Sequence, residues 1–170
     1  MSWRSNLELN SLEELLQAHL EELYDAELQF IDILPAMINA AHSEDLKQVL
    51  TQHFDETRGH VTRIEDIRQQ LDLTPSMRTS EAMKGLVVEC HEILSAAGDE
   101  TVRDAAIIAA TQRVEHYEMA TYGAARTWAI QLGRTVVAQM LQQTLDEEGQ
   151  ADKILTEIAD QTVNAHAARC

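Results

Sequence analysis

The chain has 170 residues, with 29 acidic against 13 basic side chains for a formal net charge of −16, two cysteines and two prolines. A length of this order suits one domain whose core needs no disulfide or structural zinc. So acidic a balance excludes a nucleic-acid backbone as partner, because that binding draws on Lys and Arg to displace counterions.

Six glycines and few aromatics, set among abundant Ala, Leu, Ile, Glu and Gln, make a helix-forming composition with little strand signal. Cys90 and Cys170 lie far apart and form no CxxC pair, which reads as two reduced thiols. Met1 to Asn10 shows neither an apolar signal core nor an Arg/Ser-rich transit pattern, and no apolar run elsewhere is long enough to span a bilayer. The expectation is a cytoplasmic protein without a membrane partner. Its surplus carboxylates serve solubility, and they also concentrate small cations near the surface.

Ser11 and Glu14 form a capping box that opens a first helix over 12–41, with apolar residues at Leu12, Leu16, Leu20, Leu23, Ile31, Leu34 and Ile38. Pro35 inside it predicts a kink. Ser43 caps a second helix, 44–71, whose seam reads Leu46, Leu50, His53, Thr57, His60, Ile64, Ile67 and Leu71, a 3-4 repeat with polar members at its centre. Pro75 breaks the pattern. Ser80 caps a shorter helix, 81–97, stopped by Gly98; Asp99 caps another, 100–131, stopped by Gly133; and Thr135 caps the last, 136–165. Four of these are long, about 40 to 48 Å at 1.5 Å per residue. Short connections make the first and last pairs antiparallel hairpins, and the crossover between them carries the short helix. The fold class that follows is an all-α, ferritin-like antiparallel four-helix bundle with a fifth helix in its one long crossover, forming a single domain.

Carboxylates and imidazoles interrupt the apolar stripes at similar depth. The first helix has Glu27; the second has Glu56, with His53 at i−3 and His60 at i+4; the next long helix has Glu115, His116 and Glu118; the last has Glu147, Glu148 and Asp152. An ionised carboxylate inside a bundle costs several kcal/mol unless it is paired or binds metal. Lysines and arginines are too few to pair them all. Two divalent first-row ions would balance four glutamates, and such ions accept both carboxylate oxygen and imidazole nitrogen. Bundle di-iron and di-manganese proteins often use Glu-x-x-His on two helices, a spacing absent here. The candidate metal ligands are therefore Glu27, Glu56, His60, Glu115, Glu118, Glu148 and Asp152, with His53 and Glu147 as outer partners or alternative ligands. Tyr24, Tyr122 and Trp128 read as packing residues.

Tyr24-Asp25-Ala26-Glu27, His53-Phe54-Asp55-Glu56-Thr57, Val114-Glu115-His116-Tyr117-Glu118 with Tyr122-Gly123, and Leu145-Asp146-Glu147-Glu148 with Asp152 together resemble the YciF/YciE family. That family comprises ferritin-like bacterial proteins associated with stress. The resemblance extends over nearly the whole chain, including Arg103-Asp104-Ala105-Ala106 and Gln131-Leu132-Gly133. It implies the bundle, a homodimer and a di-iron centre at Glu27, Glu56, Glu115 or Glu118, Glu148 and Asp152. The expected function is a di-metal carboxylate protein, with iron or else manganese, that handles oxygen, peroxide or ferrous ion. An oxidoreductase or peroxidase-like activity would fit such a centre. The competing expectation is a non-catalytic helical module.

Overall fold

The computed structural model describes residues 10–73 and 78–170, and every regular element among them is helical. Five substantial helices follow in order: α1 Leu12–Ala40, α2 Glu44–Gln70, α3 Glu81–Ser95, α4 Glu100–Gln131 and α5 Thr135–Ile158. The expected break at Pro75 lies outside the described residues. Among them no helix is long and apolar enough to cross a membrane.

The caps explain most boundaries. Ser11, Ser43 and Ser80 each accept from the backbone N–H three residues on, and Asp99 accepts from Thr101 and Val102. α4 ends in a Schellman turn: Gly133 sits at φ +70°, Arg134 N–H donates to Ala129 and Gly133 N–H to Ile130. α2 ends the same way with Asp72 in the left-handed position at φ +52°. Three expectations shift. Thr135 does not cap α5; it is the first helical residue, after Arg134, which makes no side-chain cap. α3 stops at Ser95, because Ala96 turns extended to reach the Asp99 cap. The last helix does not run unbroken to Ala165, since a π-turn at Ala159–Val163 separates α5 from a final turn, Asn164–Ala167. α1, by contrast, continues without interruption through Pro35.

Side-chain pairs fix the directions. Glu21 meets Arg68 while Glu27 approaches His60, so α1 and α2 run antiparallel. Arg126 meets Gln142 while Gln112 meets Asp152, so α4 and α5 do as well. The Asp104 carboxylate reaches the start of α2 while Glu115 faces His53, so the crossover leaves α2 and α4 parallel. The four long helices form a square in the order α1, α2, α5, α4, and α3 covers α1 and α4. Because α4 packs on three neighbours, its buried positions spread over a wide arc rather than one stripe.

The seam of α2 is buried as its repeat predicts, from Leu46 to Ile67. In the second half of α1 the inward positions are Phe30, Ile33, Leu34 and Met37; Ile31 and Ile38, expected on the stripe, are only half-buried. A 3-4 repeat continued from Leu16, Leu20, Leu23 and Glu27 lands on Phe30 and Leu34, one step away from Ile31.

Apolar side chains gather in two separate cores. One joins Phe30, Leu34, Leu46, Leu50, Ile107 and Leu155, and includes Met83 and Cys90 of α3. The other joins Leu20, Leu23, Ile64, Ile67, Ala125 and Leu141. Cys90 is buried and Cys170 exposed, and both are free thiols.

Asp104 ties the first hairpin to α4. Its carboxylate, 2 % exposed, accepts from His42 N–H at 2.7 Å and Ser43 N–H at 2.8 Å. Asp104→Ala leaves both connector amides without that acceptor, an expected loss of about 2 to 4 kcal/mol. Urea unfolding reads it as a lower midpoint at unchanged slope. Asp104→Asn, which keeps one acceptor oxygen, should recover part of the loss.

Candidate metal centre

Between the two apolar cores lies a layer of ionisable groups. Glu27, His60, Glu115, Glu118 and Glu148 are fully buried and His53 is 2 % exposed. α1 contributes Glu27, α5 contributes Glu148, α4 contributes Glu115 and Glu118 at i, i+3, and α2 contributes both histidines seven residues apart on its seam. Periodicity accounts for all six. On α5 the inward series runs Leu141, Thr144, Glu148, Ala151 and Leu155.

These groups form two overlapping sets. In one, donor atoms of His53, Glu115, Glu118 and Glu148 lie within 4.8 Å of one another; in the other, those of Glu27, His60 and Glu148 do. Glu148 belongs to both. Its Oε2 is 3.8 Å from His53 Nε2 and its Oε1 2.9 Å from His60 Nδ1, so one oxygen faces each set. Glu115 Oε1 is 3.1 Å from His53 Nε2, and Glu27 Oε2 is 3.5 Å from His60 Nδ1.

Proximity here is not hydrogen bonding. Both oxygens of Glu115, Glu118 and Glu148, and Oε2 of Glu27, complete no hydrogen bond. No Lys or Arg pairs with any of these four carboxylates among the described residues. Buried carboxylates left this way are costly unless they are paired or hold a cation. Metal bonds of about 2.1 Å set trans ligands about 4.2 Å apart, so sets of this spread can close on an ion with small side-chain adjustments. Oxygen and imidazole donors suit iron or manganese.

The protonation states express the same tension. Burial, followed by the charges of Glu27, Glu148 and Glu115, pushes the Glu118 carboxyl well above its ordinary value. Burial and then Glu115 raise Glu148 to about 7. Burial alone would lower His60, but Glu148 and Glu27 outweigh it and raise the imidazole to about 10. Burial would also lower His53, but Glu115, with Glu56 and Glu148, outweighs it and holds that imidazole well above its ordinary value.

An outer shell orients the imidazoles. Glu56 Oε2 lies 3.6 Å from His53 Nδ1, leaving Nε2 to face the layer. His60 Nε2 is 3.0 Å from Glu147 Oε2, leaving Nδ1 inward. At His60 this carboxylate–imidazole hydrogen bond fixes ring orientation and raises donor basicity. Arg63 anchors Glu147 at 2.8 and 3.2 Å, and Gln52 donates to Glu56 at 2.8 Å. Tyr122 Oη donates to Glu27 Oε1 at 2.5 Å.

Of the residues singled out in sequence, the structure brings Glu27, His60, Glu115, Glu118, Glu148 and His53 into one layer. Glu56 and Glu147 stand outside it, against the histidines. Asp152 is half-buried beside the seam, where Oδ1 accepts from Gln112 Nε2 at 2.9 Å and lies 3.4 Å from His116 Nε2. His116 itself is exposed. Tyr122, read as a packing residue, also carries this polar contact to Glu27; its place four residues after Glu118 was the available signal.

Four long helices closed around a buried glutamate and imidazole layer define a ferritin-like carboxylate bundle. The chain belongs to the DUF892 family, a domain of unknown function whose model matches residues 11–168. It is 36% identical over 162 residues to protein YciF of Escherichia coli strain K12, covering 95% of this chain and 98% of that one. The crystal structure of the E. coli stress protein YciF matches with a TM-score of 0.88 at 37% identity, covering 92% of this chain and 99% of that one. YcfI from Rhodopseudomonas palustris, provisionally described as a structural protein, matches at 0.85 and 37% identity over 90% and 98%. A Xanthomonas campestris protein at 24% identity, with a TM-score of 0.73 over 94% and 98%, shares the fold. The YciF resemblance read from the sequence is thereby established.

Proposed function

We propose that the chain is a dinuclear metal carboxylate protein, with iron as its metal and manganese as the alternative, that acts on oxygen, peroxide or ferrous ion during stress. The observation that carries this reading is the fully buried quartet Glu27, Glu115, Glu118 and Glu148, whose oxygens, apart from the Glu27 Oε1 held by Tyr122, lack hydrogen bonds and whose close positive partners among the described residues are two imidazoles. His53, Glu115, Glu118 and Glu148 would hold one ion, and Glu27, His60 and the same Glu148 the other. Two ferrous ions held there would supply two electrons to oxygen or peroxide, one from each ion as it becomes ferric. The chain's own part is positional. Glu56 and Glu147 orient the histidines, Tyr122 holds Glu27, and the apolar cores on either side limit water.

The description of E. coli YciF as a stress protein supports the setting; a cytoplasmic homodimer is part of the same proposal. Light scattering should then give twice the 19.1 kDa chain mass. The R. palustris description favours a second reading, a structural module with a vestigial centre. Elemental analysis of protein purified without chelator or affinity tag separates the two. Up to two metals per chain is the expected result, and less than one supports the structural module.

A further inference from the structure

A cleft of about 440 Å³ opens between α2 and α5 and reaches the imidazole of His53. It is not a generic groove. Glu56, which faces His53, and Glu147, which faces His60, both line it, so the outer partners of both histidines are reached from the same opening. Asp146 adds a third carboxylate.

Each of the three accepts from a neutral glutamine four residues earlier: Gln52 to Glu56 at 2.8 Å, Gln142 to Asp146 at 2.7 Å and Gln143 to Glu147 at 3.0 Å. Among the described residues, Arg63 on Glu147 is the one Lys or Arg in ion-pair contact with them; His53 and His60 lie 3.6 and 3.0 Å from Glu56 and Glu147, and Asp146 has no such basic partner. The cleft therefore keeps a negative field, which repels anions and concentrates cations. His53 supplies the independent sign of a ligand. It is 2 % exposed, it lines the cleft, and neither ring nitrogen completes a hydrogen bond.

We propose that this cleft is the port through which hydrated divalent cations are captured and passed to the buried layer, with Glu56, Asp146 and Glu147 as the capturing carboxylates and His53 as the ring crossed. The proposal rests on the metal-centre reading. The cleft has room for an ion carrying its first shell of water, and glutamine amides offer carbonyl oxygens to replace that shell in steps. Glu56 and Glu147 would then have two tasks, receiving the ion and steadying the imidazoles. Asp146, which touches neither ring, serves capture alone.

Stopped-flow mixing of the apo protein with cobalt(II), followed by visible absorption, tests this apart from any turnover. Asp146→Asn combined with Gln150→Trp, both exposed positions on the cleft wall, should slow loading about tenfold at low salt and leave final stoichiometry and the urea midpoint unchanged. Glu92→Gln, an exposed charge on α3, should load at the wild-type rate. A double variant that loads as fast as wild type overturns the port, as does a Glu92→Gln chain slowed equally, which would assign the effect to overall charge. Wild-type protein that takes up no cobalt overturns the metal centre and the port with it.

Discussion

Ferrous ion added anaerobically to the apo chain is expected to raise its melting temperature by about 10 to 20 °C. A ligand that binds only the native state stabilises it by about 2.7 kcal/mol at one hundred times its dissociation constant, so two filled sites contribute about 5 kcal/mol. For a domain of this size each kcal/mol moves the midpoint by about 2 to 4 °C. Glu148→Ala should abolish most of the rise, because Glu148 is the residue common to both donor sets. Glu44→Ala, at the exposed start of α2, should keep it. Glu118→Leu separates metal binding from packing most sharply. It removes a carboxylate whose two oxygens have no hydrogen bond and fills the position with apolar volume, so the metal-free chain should gain about 1 to 4 kcal/mol while the response to iron falls. A wild type that melts identically with and without iron would sink the metal centre.

The pH dependence of stability should change sign when metal binds. In the apo chain Glu148 titrates near 7 against an ordinary 4.5, so between those values the native state keeps a proton that the unfolded chain has released. Stability must fall as pH rises through that window. His60 acts in the same direction from its ordinary 6.5 to about 10, because the native imidazolium holds its proton longer than the unfolded one. Each unmatched proton contributes up to about 1.4 kcal/mol per pH unit. The apo melting temperature should therefore decline steadily from pH 5.5 to 9. With excess metal present the ligands must be deprotonated to bind, so affinity and native stability climb over the lower part of that range. Calorimetry of both forms across these pH values checks the divergence. Parallel curves would mean that the buried groups bind no ion.

The bundle was legible in sequence because its determinants are local. The capping serines at 11, 43 and 80 and Asp99 mark helix starts by short side-chain bonds, Gly133 marks a stop by its left-handed backbone, and the 3-4 seam of α2 shows which face is buried. The break at Ala159 was not legible. The π-turn lies against α4, and Ala159–Val163 carries no residue that demands it.

The polar layer divides along the same line. Sequence alone determined which helices carry ionisable groups at a common depth, and that their charge exceeds what Lys and Arg can pair. It set His53 and His60 on the seam of α2 and still ranked Glu56 with the ligands, because the two histidines flank it at i−3 and i+4. Tertiary packing decided for the histidines: α5 presents Glu148 to both rings, and Glu56 turns to Gln52 and His53 Nδ1. On α5 the same competition placed Ala151 inward and Asp152 beside Gln112 of α4. Register along one helix follows from sequence period. Which of two adjacent polar residues faces the centre depends on the rotation of each helix against its neighbours, and only the assembled bundle sets that rotation.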